Sequence, residues 1–210
     1  DSVSHASGKT QNWYLKQMAK EKNINLRLAT FCKPDEIGKI DLDLYGINYN
    51  MYVRPRGGIV NELKRGLAWI SKLEICNKYA GLTTIDYRIG MRRMLRELED
   101  ENYEPDIIIM QWTEILFFLP ILKKIWANAK FVAIEEDVSY LGMQRKRDFY
   151  KNVFQKAFFA CKARRVKKLE IRYLNQCNLV VFNNEKDYKL SCGDGYVGKS
   201  IIWSFLSKFV

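Results

Sequence analysis

The stretch YEPDIIIMQW, Tyr103 to Trp112, constrains the fold more than any other part of the chain. Pro105 cannot continue a helix, because it lacks a backbone N–H and its ring clashes with the preceding turn. An unbroken apolar run, Ile107 to Met110, follows it. A strand that reads this way is expected to be buried on both faces, as in a parallel sheet.

Further strands are predicted where the chain reads KFVAI (Lys130 to Ile134), NLVVFN (Asn178 to Asn183) and KSIIWSF near the end. Ile24, Leu26, Leu28 and Thr30 alternate as another strand, and a short one is predicted over Ile40 to Tyr45. Helices alternate with them. Lys9 to Lys22 places Tyr14, Leu15, Met18 and Ala19 on one face, and RPRGG (Arg54 to Gly58) is a break. Val60, Leu63, Leu67 and Ile70 then recur at helical spacing, and a helix is predicted over Thr84 to Glu101. Pro120 to Asn128 suits a helix with proline in its first turn. One long helical region is predicted from Met143 to Asn175 and a short one over Glu185 to Leu190. The alternation predicts an α/β fold: three layers around a single, mostly parallel sheet.

The 210 residues suit one large domain or two very small ones. With 48% hydrophobic residues the chain can bury a core, and its 28% of charged residues do not mark disorder. The start, DSVSHASGKT, has no apolar segment of the secretory kind. The most apolar stretch, Ile107 to Leu122, is interrupted by Gln111, Thr113, Glu114 and Pro120, so no spanning helix is predicted. The five cysteines, at 32, 76, 161, 177 and 192, form no C-x-x-C pair, which predicts reduced, mostly buried thiols of a cytoplasmic protein. His5 is the only histidine, and no metal site is predicted.

The net charge of +11 is concentrated. Arg145 to Arg172 holds eleven Lys and Arg residues against Asp148 and Glu170. Phe149, Tyr150, Phe154, Phe158 and Phe159 interleave with these cations. The segment reads either as a basic amphipathic helix lying in an anionic membrane interface or as a helix packed on the sheet with a solvated face.

Gly8, Lys9 and Thr10 match the end of a phosphate-gripping G-x-x-x-x-G-K-[ST] loop, but Val3 stands where its first glycine belongs, and no full strand precedes it. A P-loop-like NTPase is therefore an alternative only, as is a basic nucleic-acid-binding module, for which no recognised motif is present. The small residues of Ser4 to Gly8 still suit a loop that lets a ligand approach a helix N-terminus.

The order of features resembles the N-terminal, acceptor-side domain of GT-B glycosyltransferases, particularly the family 4-like group (glycosyl transferase group 1). SHASGKTQNWYLKQMAKEKNINLRLATF looks like that family's opening loop, helix and strand. YEPDIIIMQW is similar to its P-D-apolar strand, and KFVAIEEDVSY to the strand that often ends in His-Asp, with Glu136 in the histidine's place. KKLEIRYLNQCNLVVFNNEKDYKL looks like its helix-borne glutamate, apolar strand and polar turn, with Glu170, Leu179 to Phe182 and Asn183-Asn184 in those positions.

The resemblance implies a Rossmann-like domain over residues 1–200, with 201–210 as a last strand or the start of an interdomain linker. It implies that a second domain, absent from this chain, binds the nucleotide-sugar donor. The whole protein would then be a hexosyltransferase-type enzyme acting on a glycan or lipid-linked acceptor, cytoplasmic and peripheral to the inner membrane face. The fragment would be inactive alone and would bind no cofactor.

Ligands of an open α/β sheet bind beyond the carboxyl ends of its strands. Ser4 to Thr10, Gln111 to Glu114, Glu135 to Ser139 and Asn183 to Glu185 meet that condition. Glycosyl transfer needs a base for the acceptor hydroxyl or support for developing charge. Glu136 and Asp137 are the catalytic candidates; an acidic turn capping the next helix is the other reading of them. Ser7, Gly8, Lys9, Thr10, Gln111, Trp112, Glu114, Asn183 and Asn184 are the substrate-binding candidates. Trp112 would stack on an acceptor or serve the core, Lys9 and Thr10 would meet an anion or form an ordinary helix turn, and the two asparagines equally suit a helix cap. His5, in the same loop as Lys9, is a further possible substrate contact.

Overall fold

The computed structural model describes residues 6–54, 66 and 70–203; at 6–10 it describes the backbone alone. The protein is α/β with parallel sheets. Its strands form two sheets rather than one, and the chain divides into two compact units.

The first unit holds residues up to Ala68 together with Ile85–Tyr103. Helix α1 spans Ala6–Met18. It begins earlier than predicted, so Ser7, Gly8, Lys9 and Thr10 lie in its opening turns rather than in or just after a loop; Ser4 and His5 lie outside the described residues. Strands β1 (Arg27–Cys32) and β2 (Asn48–Val53) pair in parallel from Arg27 opposite Asn48 to Cys32 opposite Val53. In place of the strand predicted over Ile40 to Tyr45 there is a 3₁₀ turn, Leu42–Tyr45, preceded by another over Pro34–Lys39. Pro34 opens the first, and Gly46, at φ 65°, closes the second in a left-handed conformation. Of the expected break only Arg54 is among the described residues, and of the helix expected to carry Val60, Leu63, Leu67 and Ile70 only Gly66 and Ile70, both helical.

Helix α2 (Ile85–Asp100) completes the unit and buries Met91, Met94, Leu95 and Leu98, which recur at the spacing of one helical face. Gly90 lets it approach the strands, because a Cβ there would lie 2.4 Å from Tyr52 Cδ1 and 2.8 Å from Phe31 Cε1. Arg27 pairs with Glu101 at 2.5 Å and Arg54 with Asp86 at 3.3 Å, tying both strands to this helix and its end.

The second unit holds Trp69–Thr84 and everything from Glu104 onward. Its sheet runs in the order β3 (Ile107–Gln111), β4 (Lys130–Glu135), β5 (Leu179–Phe182), β6 (Ser200–Ile202), all parallel. Short helices α3 (Thr113–Leu116) and α4 (Leu119–Ile125, Pro120 in its first turn) link β3 to β4. Helices α5 (Ser139–Phe149) and α6 (Val153–Leu174) link β4 to β5, and α7 (Glu185–Gly193) precedes β6. Met110, Phe117, Phe118, Phe131, Val166, Leu174 and Phe182 are almost fully buried. Each contributes on the order of 1.5–3 kcal/mol by leaving water.

β3 departs from the expected burial on both faces. Its end at Met110 and Gln111 is buried, but Ile107 and Ile109, side by side on one face, are exposed. The long helix predicted over Met143 to Asn175 is two helices. Asn152 caps α6, its side chain accepting the N–H of Phe154 at 2.8 Å and of Gln155 at 3.3 Å. The cysteines depart from expectation as well: all five are free, but only Cys32 and Cys177 are buried, and Cys76 and Cys161 are exposed.

Residues 70–84 have no strand and are bound to α6 through main-chain carbonyls. The buried ammonium of Lys162 donates to Lys72 O and Gly81 O, each at 3.0 Å. Arg165 donates to Cys76 O at 3.2 Å and Tyr173 to Lys78 O at 3.3 Å. Burial, with Lys146 and Lys72 adding repulsion, pushes the Lys162 ammonium down to about 8.

Candidate functional site

The carboxyl ends of β3, β4 and β5 bring together most of the predicted residues of the second unit. β3 ends in Gln111, Trp112 and Thr113. Trp112 has φ 69° and ψ 145°, a conformation that costs a residue with a Cβ. This kink leaves the indole 38% exposed while Gln111 and Thr113 on either side are buried. Strain of this kind concentrates at ligand sites, where the surroundings hold it in place.

β4 ends in the three carboxylates, and each has a different setting. Glu135 is buried, Glu136 half-buried and Asp137 exposed. The Gln111 side-chain amide donates to the Glu136 carboxylate, which links the tips of β3 and β4. Thr113 Oγ1 lies 3.1 Å from Glu135 Oε1 and 3.3 Å from the Asp137 carbonyl, so the same two tips are linked beneath the rim.

Beneath the rim lies an arrangement that centres on Glu170 of α6. Glu170 Oε1 accepts the backbone N–H of Ser139 at 2.9 Å, at the start of α5. Its carboxyl also meets that of Glu135, and both are almost completely buried. Two buried carboxylates repel unless one carries a proton. Burial first, then the Glu170 charge, pushes the Glu135 carboxyl well up. Burial pushes Glu170 up to about 7, against the N–H bonds from Ser139 and Tyr140. Both shifts favour a proton held by the pair over two buried charges, and among the described residues no partner lies within hydrogen-bond distance of Glu170 Oε2.

Asn183 and Asn184 follow β5. Asn184 caps α7: its side-chain oxygen accepts Asp187 N–H at 2.8 Å, and its amide donates to Asp187 Oδ2 at 2.7 Å. Asn183 N–H reaches the Glu135 carbonyl at 3.4 Å. Glu114, the remaining candidate in this unit, is exposed in the first turn of α3. Ser7, Gly8, Lys9 and Thr10 belong to the first unit.

Thr113 and Asp187 were not singled out in the sequence, and nothing in their immediate spacing distinguishes them. Glu170 left a trace: with Val166 and Tyr173 it falls on the buried stripe of α6, an acid where the helical period calls for an apolar residue. Tyr140 and Asp194 form a second link, the phenol donating to the carboxylate, which Lys167 also contacts. That link joins α5, α6 and the end of α7.

The rim thus presents an exposed indole, a carboxylate fixed by an amide, and a free-standing aspartate above a buried proton-holding pair. Such a surface repels anions and suits a neutral, hydroxyl-rich ligand: an apolar face meets the ring, and carboxylate oxygens accept from hydroxyls. Among the described residues no cluster of His, Cys, Asp and Glu side chains is arranged to hold a metal ion. Compared with protein-family models and with curated proteins, the chain matches none.

Proposed function

We propose that the rim of the second unit is the acceptor side of a glycosyltransferase of the GT-B kind, a Rossmann-like domain that works with a nucleotide-sugar-binding domain. The observation that carries the reading is the Gln111–Glu136 hydrogen bond beside Trp112. It fixes one carboxylate against the strand end that leads into Trp112, where an acceptor hydroxyl can be held and its proton accepted. Asp137, exposed one residue on, supplies a second carboxylate to orient the acceptor. The resemblance in the order of motifs supports the same reading. Ser7, Gly8, Lys9 and Thr10 carry no part of it.

The test is turnover by the whole natural protein, read as nucleoside diphosphate released from UDP-, GDP- and ADP-hexoses in the presence of simple glycoside acceptors. Glu136→Gln should lower kcat by about 10²–10⁴ with KM little changed, the range for loss of a general base. Trp112→Ala should chiefly raise the acceptor KM. Release that is absent for every donor, or unaffected by both substitutions, would remove the proposal.

A further inference from the structure

We infer that the corner between α5 and α6 is a docking wedge for an anionic lipid bilayer. The inference goes beyond sugar transfer and does not depend on it.

Three bulky apolar side chains crowd this corner: Phe149 is 82% exposed, Val153 76% and Phe154 85%. Exposed apolar residues are ordinary singly, but three within six positions form a patch that calls for a partner. Ring contacts and a helix cap also brace the corner. The Tyr150 and Phe159 rings stack at 5.2 Å and 5°. Phe158 abuts Phe159 edge-on at 5.2 Å, and Asn152 caps α6. A preformed wedge loses little conformational freedom on docking.

The charge around the wedge selects the partner. Between Ser139 and Ala160 the only acid is Asp148, and Arg147 pairs with it at 2.7 Å. Arg145, Lys146, Lys151 and Lys156 then surround the wedge, all exposed. Apolar side chains that enter the acyl boundary, with cations left at headgroup level, are the chemistry of an interfacial anchor. Each such cation strengthens binding to an anionic leaflet by about fivefold.

The geometry also limits how much of the basic segment can lie in the plane of a bilayer. A helix lying on a bilayer needs its apolar stripe free, whereas the second half of α6 commits Val166, Leu169, Tyr173 and Leu174 to the core. Contact is confined to the corner and the first turns of α6. No described helix is long and apolar enough to cross a membrane, so docking is interfacial.

The experiment uses the 210-residue chain and vesicles of phosphatidylcholine with or without 40% phosphatidylglycerol. The chain should sediment with the anionic vesicles, and far less with neutral ones or in 0.5 M salt. Phe149→Ser/Phe154→Ser should weaken anionic-vesicle binding at least tenfold without changing the thermal midpoint, because both rings are exposed. Lys151→Glu/Lys156→Glu should weaken it by more than tenfold. A Phe154→Trp probe should shift its emission to the blue on anionic vesicles only. Equal binding by the double serine variant, no wild-type vesicle binding, binding to generic duplex or single-stranded nucleic acid alone, or a dimer that the serine variant dissolves would each overturn the inference.

Discussion

Glu170 and Ser139 meet through one hydrogen bond: a carboxylate from near the C-terminal end of the second unit's longest helix accepts, at 2.9 Å, the first backbone N–H of the helix that follows β4. The turn carrying Glu136 and Asp137 is thus fixed by a side chain thirty-one residues further along the chain. Removing the acceptor leaves a part-buried donor without its partner. Glu170→Ala should cost about 2–4 kcal/mol in denaturant unfolding, and Glu170→Gln, which keeps an acceptor, distinctly less.

The same carboxyl predicts a pH dependence. Burial raises Glu170 from an ordinary value near 4.5 to about 7. An acid raised in the folded state binds its proton more tightly there than when unfolded. Its contribution is fully present below about 4.5, is lost as pH rises through about 7, and is flat beyond. Glu135, raised by burial and by Glu170, acts in the same direction. The loss is on the order of 3 kcal/mol. Thermal midpoints measured from pH 4.5 to 8.5 should fall further for the wild type than for Glu170→Gln.

Trp112 is tested by comparing two truncations. Both Trp112→Ala and Trp112→Gly delete the indole, but only glycine adopts φ 69° without strain. The glycine variant should be the more stable by about 1 kcal/mol in urea titration. Equal stabilities would show that the kink stores no energy.

Gly81→Ala should destabilise the second unit by about 2–4 kcal/mol. Its φ is 65°, and an added Cβ would sit 2.6 Å from Lys72 O and 3.0 Å from Lys162 Nζ. Hydrogen exchange should quicken across residues 70–84 first.

Gly90→Ala reverses an ordinary rule. Alanine favours an isolated helix over glycine by about 1 kcal/mol. Here the methyl would meet the Tyr52 ring at 2.4 Å, so the variant should instead lose about 1–3 kcal/mol. A stabilised variant would mean that α2 can move away from the strands.

The strands and helices of the second unit were largely legible, because apolar runs such as Phe131 to Ile134 and Val180 to Phe182 stand out from charged flanks. α2 was legible for the same reason. Three things were not. β2, NYNMYV, mixes asparagine with its apolar residues and shows no clean alternation, so the strand was placed before it, over residues that Pro34 and Gly46 turn. The division of α5 from α6 rests on one capping asparagine amid residues that all suit a helix. The Glu135–Glu170 pair joins positions thirty-five apart, and no local spacing announces such a meeting. Glu136 and Asp137 were found as a cluster, but their different exposures depend on the path of the backbone after β4.

The hold of α6 on residues 70–84 has a consequence for how this protein can drift. Lys72, Cys76 and Lys78 have exposed side chains and accept these bonds through their carbonyls, so most replacements there leave the bonds intact. Lys162, Arg165 and Tyr173 have no such latitude, because each donates through its side chain. Variation should therefore accumulate at Lys72, Cys76 and Lys78 and be refused at Lys162, Arg165 and Tyr173.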